Sequence, residues 1–369
     1  MFPLILAEIA LLEKPPYLAC SSDYGVVYLS STELCRWAIW RTLRVPVFGM
    51  EHLVLIDGHH LMYRAYWAIP RTLRTRAGEQ VNAVFGVASM LISILAQEKP
   101  DALLFCFDEG EETFRHQEHA EYKEGRAETP DDFYVQIPRI LELIDTFGIR
   151  RVSDKGYEAD DLLATYAVAA EKQGMRVTIV SGDRDVFQLA TKDIIIAIPH
   201  KGYQAAERLD PAGVLQKFGV TPAQVPAFKG LSGDSSDNLP GVRGIGPKTA
   251  SELLKSYDSL EGIYEHLEDI RPSVREKLVA DREQAFFCQR MAVLKTDLPL
   301  PIPLDALALE DLPVPLIREF FGTMEFTMLS KRLQALATGE YGSHFYLGDA
   351  SQQTTESEIE SSREQLSMF

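Results

Sequence analysis

Four short apolar runs constrain the fold of this chain more than any other feature. They are LVLIDG from Leu53, ALLFCFD from Ala102, MRVTIVSGD from Met175 and DIIIAIP from Asp193. Each has the length and the continuous hydrophobicity of a strand that is buried on both faces. Stretches with apolar residues at helical spacing lie between them, over residues 81–97 and 131–147. This alternation predicts an α/β fold with a parallel sheet flanked by helices.

Three of these runs end at an acidic residue, at Asp57, Asp108 and Asp183. Ligand sites of parallel sheets gather at the carboxyl ends of the strands, so we expect the three acids at one edge. The segment GYEADD at residues 156–161 adds three carboxylates in the first turn of a helix that ends at Gly174. A helix N-terminus stabilises each exposed negative charge by only about 0.3–1 kcal/mol, which is too little to hold such a cluster together.

The acids at strand ends and helix starts form a set of nine. They are Asp57, Asp108, Glu158, Asp160, Asp161, Asp183, Asp185, Asp234 and Asp237. Oxygen ligands without His or Cys partners are typical of sites for hard cations, Mg²⁺ or Mn²⁺. Taken singly, each acid is more often a helix cap or a solvated surface residue than a metal ligand. The joint pattern favours the metal, and Mg²⁺ should then raise the melting temperature.

Composition limits the setting of the protein. The formal net charge is −17, which weighs against a nucleic-acid partner, but residues 340–369 carry acids against Arg363 alone. The four cysteines are far apart without a CxxC pair, which favours neither a zinc cage nor a disulfide framework and suits a reducing cytoplasm. We expect no membrane span and no export signal, because the apolar stretch at residues 2–12 is short and interrupted by Glu8.

Five segments together resemble the 5′ nuclease family, which includes the 5′–3′ exonuclease domain of bacterial DNA polymerase I and the flap endonucleases. They are LIDGHHLMYRAYWA, FDEGEETFRHQEHAEYKEGRAETPDD, GYEADDLLATYA, VSGDRDVFQL and LSGDSSDNLPGVRGIGPKTASELL. The resemblance implies a PIN-like (resolvase-like) catalytic domain over residues 50–225 and a helix–three-turn–helix subdomain over residues 226–338. Residues 339–369 are predicted to be a disordered acidic tail.

The resemblance also implies a function. Asp57, Asp108, Glu158, Asp160 and Asp161 would form a first metal site, and Asp183, Asp185, Asp234 and Asp237 a second. Two such cations promote the hydrolysis of phosphodiester bonds. The resemblance implies that the substrates are the 5′ ends of DNA flaps, nicks or RNA-primed ends. It also implies a role in replication, including Okazaki fragment processing, and in repair. Two alternatives are a catalytically silent module that binds DNA structures and a phosphatase with Asp57 as nucleophile. The phosphatase is disfavoured because His59 stands where its second Asp is expected.

The charged segment TFRHQEHAEYKEGR, residues 113–126, is too long for a minimal connection. In the family that it resembles, this region is an arch over single-stranded 5′ ends, with Lys123 and Arg126 near the scissile phosphate. Arg64 and Arg115 match positions that contact phosphates, and Tyr122 could stack on a base. For Arg115 and Tyr122, surface pairing with a neighbouring glutamate, Glu121, Glu124 or Glu128, is an equal alternative.

The segment GVRGIGPKTASELL nearly spells a phosphate-binding P-loop, but Pro247 separates the last glycine from Lys248 and no strand precedes it. ATP binding is therefore not expected. The resemblance implies a hairpin that grips one strand of duplex DNA through its backbone, with a K⁺ ion in the hairpin. Its residues would be Gly241, Gly244, Gly246, Lys248 and Thr249.

Both ends of the chain carry separate hypotheses. Residues 1–49 match nothing in the family pattern, so either Met50 is the true start or the extension is real. The last residues, QLSMF, resemble the peptide by which bacterial replication proteins bind the sliding clamp. That peptide would use Gln365, Leu366, Met368 and Phe369.

Overall fold

The computed structural model describes residues 17–22, 25–30, 50–110, 112–124, 129–200, 202–310 and 312–345. The chain divides into two compact units, residues 1–49 and 50–369. In the first unit, β1 (Tyr17–Ser22) pairs antiparallel with β2 (Gly25–Ser30). The rest of residues 1–49, Arg126 and the peptide at residues 365–369 lie outside the described residues, so the hypotheses about them stay predictions.

A six-stranded sheet forms the centre of the second unit, in the order β5-β4-β3-β6-β7-β8. Its strands are β3 (His52–Asp57), β4 (Ala102–Cys106), β5 (Arg150–Val152), β6 (Arg176–Val180), β7 (Ile194–His200) and β8 (Gly202–Leu209). All neighbours are parallel except β7 and β8. The four predicted strands are β3, β4, β6 and β7, and β3 lies between β4 and β6, where the chain direction across the sheet switches.

Helices cover the sheet and bring the chain from one strand to the next. They are α1 (Gly58–Ala68), α2 (Asn82–Glu98), α3 (Phe114–Glu118), α4 (Asp131–Tyr134), α5 (Ile137–Thr146) and α6 (Ala159–Lys172). The predicted single helix over residues 131–147 is wrong, because the chain turns between α4 and α5. Pro138 has no N–H to donate to the preceding turn, which disfavours a continuous helix there.

The part of the unit after the sheet is helical, as the predicted fold implies. It contains α7 (Pro211–Phe218), α8 (Val225–Ser232), α9 (Pro247–Tyr257), α10 (Leu260–Glu265), α11 (Pro272–Ala280), α12 (Arg282–Ala292), α13 (Val314–Thr323), α14 (Thr327–Thr338) and α15 (Glu340–Phe345). The edge strand β8 precedes them. It escaped prediction because only one of its edges is paired and most of its side chains are at least partly exposed.

The last described residues of the chain are helical. The predicted disordered tail from residue 339 is wrong for its first residues, because α15 continues to Phe345 and the Tyr341 hydroxyl donates a hydrogen bond to the Pro100 carbonyl at 2.8 Å.

One buried apolar cluster contains both sheet residues such as Leu55 and helical residues such as Leu278. Among the described helices, none combines the length and the apolar character needed to cross a membrane.

Candidate metal and nucleic-acid site

Asp57 lies at the carboxyl end of the central strand β3 and caps α1. Its Oδ1 accepts a hydrogen bond from the His60 backbone N–H at 2.9 Å, and its Oδ2 accepts one from the Ser181 hydroxyl at 2.8 Å. Only 7% of its surface is exposed. Ser181 follows β6 directly, so the hydrogen bond ties the ends of the two neighbouring strands together at the predicted edge.

The acids of the neighbouring elements converge on the same edge. Asp108 follows β4, and its Oδ1 accepts a hydrogen bond from the Ala159 N–H at 2.7 Å, at the first residue of α6. Asp183 follows β6, and its Oδ1 accepts one from the Asp185 N–H at 2.9 Å. Asp160 lies in the first turn of α6, where its Oδ1 is buried and has no hydrogen-bond partner among the described residues. We call Asp57, Asp160 and Asp183 the facing acids.

The facing acids influence one another electrostatically. Burial raises the pKa of Asp57 to about 7, and the charges of Asp108 and Asp183 add to the rise against its two hydrogen bonds. Burial also raises the pKa of Asp160 well above its usual range, together with the charges of Asp183 and Asp57. Both shifts report that negative charge at this edge is undercompensated.

The base of the predicted arch supplies positive charge to two other acids. Arg115, 2% exposed, makes two hydrogen bonds of 2.7 and 2.9 Å to the two carboxylate oxygens of Asp161 and one of 3.3 Å to Glu158. Glu158 also accepts hydrogen bonds from the Lys123 ammonium at 2.7 Å and the Tyr122 hydroxyl at 3.3 Å.

This arrangement corrects three expectations. Arg115 and Tyr122 are buried rather than exposed to phosphates, bases or surface glutamates, because they pack between α6 and α12. Asp161 is fully buried, and both its oxygens are occupied by Arg115 while one also accepts from the Lys295 N–H at 2.9 Å. A carboxylate held in this way fits a structural role better than the expected ligand role.

A second set of acids surrounds a lysine that the sequence interpretation missed. The ammonium of Lys229 on α8 forms ion pairs with Asp185, with Asp234 at 2.6 Å and with Asp237 at 3.9 Å. Burial alone would raise the pKa of Asp234. The contact with Lys229 opposes this effect, and the pKa is lowered overall. The signal was present as a single lysine in the apolar run VPAFKGLS. We call these three acids, with Glu158 and Asp161, the paired acids.

Two histidines at the start of α1 were also missed as part of the site. His59 contacts Asp108 at 3.5 Å, and His60 packs so closely on Gly182 that a Cβ there would lie 2.5 Å from the imidazole ring. Burial lowers the pKa of both imidazoles, so they add no positive charge near neutral pH. Their place directly after Asp57 in LIDGHH was the available signal.

The fit of these residues to a divalent cation can be tested on the donor set. Within the described part of the chain, no group of three or more His, Cys, Asp or Glu side chains is already arranged to hold a metal ion. The Oδ1 of Asp160 is nevertheless an unpartnered oxygen donor, and burial raises the pKa of Asp57 and Asp160, so a nearby positive charge would favour their charged forms. The facing acids therefore fit a hard cation chemically.

The predicted hairpin residues lie at the start of α9. Gly244, Gly246 and Lys248 are exposed, Thr249 is half-buried, and Gly246 precedes the first residue of the helix. Gly241 is different, because it has φ +63° and a Cβ there would lie 2.2 Å from the Gly233 nitrogen. Its role is thus close backbone packing, and the other four carry the exposed surface.

Arg64 and Lys123, both predicted to act near phosphates, contact other parts of the chain in this structure. Arg64 is half-buried on α1 and donates to the His200 carbonyl at 3.2 and 3.3 Å. The backbone N–H of Lys123 donates to the Asp237 carbonyl at 3.2 Å, and Asn238 donates to the Glu121 carbonyl at 2.7 Å. The arch base is therefore hydrogen-bonded to the loop after α8.

Two family models match the chain in succession. The first is the 5′-3′ exonuclease N-terminal resolvase-like domain over residues 52–219, and the second is the 5′-3′ exonuclease C-terminal SAM fold over residues 220–313. This chain belongs to the 5′-3′ exonuclease family. The predicted resemblance and the predicted fold, a resolvase-like sheet followed by a helical subdomain, are confirmed.

Individual relatives agree with the family. DNA polymerase I of Bacillus subtilis is 42% identical over 284 residues, 77% of this chain and 32% of that protein. The thermostable DNA polymerase I of Thermus thermophilus is 42% identical over 259 residues, 70% of this chain and 30% of that protein. This chain therefore spans about a third of the length of the curated relatives that it matches.

Two solved structures share the fold. A structure of T5 5′-exonuclease with bound divalent zinc ions has a TM-score of 0.56 at 19% identity, covering 78% of this chain and 98% of that one. The catalytic core of Rad2 in complex with DNA substrate has a TM-score of 0.52 at 16% identity, covering 78% and 92%.

Proposed function

We propose that this chain is a divalent-cation-dependent, structure-specific 5′ nuclease that hydrolyses phosphodiester bonds of DNA flaps, nicks and RNA-primed ends. The observation that carries the proposal is the convergence of the facing acids at the carboxyl ends of β3 and β6 and the start of α6. Burial of these carboxylates beside one another is costly, and a divalent cation would compensate it. The metal bound by the T5 exonuclease and the DNA bound by Rad2 support the same reading.

The residues fit two cations, Mg²⁺ or Mn²⁺. Asp57, Asp108, Asp160 and Glu158 would hold the first, and Asp183, Asp185, Asp234 and Asp237 the second. When bound, such ions lower the pKa of water and stabilise negative charge on the attacking and leaving oxygens. The products would be a 5′-phosphate and a 3′-hydroxyl.

The other residues would bind and orient the nucleic acid. A cavity of about 260 Å³ lies beside the acid edge, lined by Asp108, His116, Lys123 and Glu158 among others. Lys123 would exchange its contact with Glu158 for a substrate phosphate, and Arg64 on α1 would contact a second phosphate. Arg126 would act beside Lys123.

The hairpin before α9 would bind duplex DNA through its phosphate backbone. Gly244 and Gly246 leave backbone N–H groups accessible at the start of a helix, and Lys248 adds a positive charge. A K⁺ ion in this hairpin remains part of the proposal. Because such contacts reach phosphates and not base edges, binding should depend on the structure of the DNA and little on its sequence.

A 5′-labelled flap substrate with Mg²⁺ tests the reaction. The wild type should cleave it, and Asp183→Ala should lose activity by orders of magnitude, because a carboxylate of the acid edge is missing. Asp145→Ala, which removes an exposed acid of α5 that pairs with Arg151, is the matched control and should cleave normally. Binding of the flap by the wild type without any cleavage would favour the catalytically silent module.

Replication and repair in the cytoplasm are the proposed setting, with the sliding clamp as a partner. The terminal QLSMF would tether the nuclease and raise its local concentration at the clamp. A chain that ends at Glu364 should bind clamp at least about tenfold more weakly than the full chain, whereas Ser367→Ala should bind normally. Equal binding by the shortened chain would refute the tether.

A further inference from the structure

Lys229 is the buried cation among the second set of acids. It is 3% exposed, and its ammonium faces carboxylates from two segments: the 3-10 helix at Asp185–Leu189, and the loop after α8 that carries Asp234 and Asp237. The Lys229 ammonium therefore faces three carboxylates.

Helix packing fixes the place of Lys229. Every residue of α8 from Val225 to Leu231 is buried. A Cβ at Gly230 would lie 2.7 Å from the Ala285 carbonyl oxygen of α12, so the two helices meet backbone to backbone. Rotation of α8 cannot bring Lys229 to the surface, and its ammonium can move only through the rotamers of its own flexible side chain.

The ammonium and a divalent cation would need the same oxygens. A buried lysine is stable only where carboxylates compensate its charge, so Lys229 and these acids depend on one another. The proposed function assigns the same three acids to the second cation. Two positive charges that contact the same carboxylates repel each other. In addition, the carboxylate lone pairs that accept hydrogen bonds from the Lys229 Nζ are not available to the divalent ion.

We propose that Lys229 is a positioning residue of the second cation site: it holds Asp185, Asp234 and Asp237 together with its own ammonium and competes with the divalent ion for them. The inference rests on the proposed function for the assignment of these acids to an ion. It has a specific consequence, namely that the chain itself weakens ion binding at this site. Entry of the ion requires the ammonium to withdraw from at least one carboxylate.

Isothermal titration calorimetry of the full chain with Mn²⁺, in the absence of DNA, tests this competition. Lys229→Met keeps the length and apolar stem of the side chain but removes the charge. We expect its weaker class of Mn²⁺ sites to bind roughly tenfold more tightly than that of the wild type, because a nearby positive charge is gone. Lys217→Met is the matched control, since it removes a lysine that pairs with Glu207 outside the site, and its Mn²⁺ affinities should equal those of the wild type.

The outcomes separate this inference from the proposed function. If wild type and Lys229→Met bind Mn²⁺ equally, or if the variant binds more weakly, the competition is refuted while the metal-dependent nuclease stands. If neither protein binds Mn²⁺, both are refuted. A weaker binding of flap DNA with unchanged Mn²⁺ affinities would assign Lys229 to a substrate phosphate and would also overturn the inference.

A measurement on the wild type avoids dependence on the charge-removing variant Lys229→Met and needs only the charge-conserving Lys229→Arg for assignment. Nitrogen NMR of ¹⁵N-lysine-labelled protein should show a protected ammonium signal, because the Lys229 ammonium is buried and hydrogen-bonded. Lys229→Arg assigns the signal by its disappearance. Saturating Mg²⁺ should shift or broaden this signal and leave that of Lys217 unchanged, and an unmoved Lys229 signal would refute the competition.

Discussion

The facing acids and the paired acids solve the same electrostatic problem in different ways. The paired acids are neutralised by cations that the chain carries itself, through Arg115, Lys123 and Lys229. Asp57 and Asp183 accept hydrogen bonds from neutral groups only, and Asp57 and Asp160 have raised pKa values. Within the described part of the chain, the facing acids therefore form no ion pair, whereas each paired acid does.

This difference indicates where an added cation does the most. A divalent ion near Asp160 would relieve the repulsion between Asp160 and the neighbouring carboxylates of Asp57 and Asp183. A divalent ion near Asp185 would have to compete with Lys229. Asp161 and Arg115 would not take part, because their charges compensate each other in a buried ion pair. The three carboxylates of GYEADD are thus compensated differently: Glu158 and Asp161 contact Arg115, whereas the Oδ1 of Asp160 has no partner among the described residues.

The largest effect should come from breaking the buried ion pairs of the paired acids. Arg115→Met leaves Asp161 and Glu158 buried without their guanidinium, so the free energy of unfolding should fall by about 3–5 kcal/mol. Urea unfolding of both proteins measures it. Arg139→Met is the control, because its partners Glu79 and Glu142 are exposed and such pairs contribute only about 0–1 kcal/mol. Similar losses in the two variants would erase the distinction between buried and exposed pairing.

The facing acids should produce a somewhat smaller effect that depends on pH. The carboxyl of Asp57 has a pKa of about 7 in the fold against 3.8 ordinarily, so the folded state retains a proton that the unfolded chain releases. Stability should therefore fall as pH rises from about 4 to 7, by about 2.5 kcal/mol between pH 4.5 and 6.5 with metal removed by a chelator.

Asp57→Asn tests the source of this slope. The amide has no proton to release, so the variant should lose most of the decline measured by unfolding at each pH. The pKa of Asp160 is also raised, so the slope that remains in the variant should come mainly from Asp160. A slope that is unchanged in Asp57→Asn would show that the raised pKa belongs elsewhere.

The sequence predicted the edge of the sheet well and the partners of the acids poorly. Buried parallel strands are continuous apolar runs, so β3, β4, β6 and β7 and the acids at their ends follow from the sequence alone. The partner of Asp161 does not, since Arg115 lies 46 positions away and reaches it only after the arch base folds back onto α6. Nothing local in GYEADD distinguishes Asp160 from Asp161.

The elements that escaped prediction share a physical reason. Most side chains of the edge strand β8 are at least partly exposed, and α15 is held by a contact between Tyr341 and Pro100 that is distant in sequence. Lys229 was overlooked because a lysine in an apolar helix is usually at the surface, and only the tertiary fold surrounds it with acids. Long-range pairing, rather than local propensity, decides each of these cases.

The smallest expected effect separates Asp160 from Asp161 directly. At an Mg²⁺ concentration about ten times the dissociation constant, preferential binding to the folded state stabilises it by about 1.4 kcal/mol, which raises the melting temperature by a few degrees. Asp160→Asn should lose most of this rise because it removes the unpartnered oxygen donor, and without metal it should melt higher than the wild type because repulsion is reduced. Asp161→Asn should do the opposite, with a lower melting temperature without metal, since Arg115 loses its partner, and an intact rise with Mg²⁺. If Asp161→Asn abolishes the Mg²⁺ effect and Asp160→Asn preserves it, the two acids have exchanged roles and the ion pair with Arg115 must open when the ion binds.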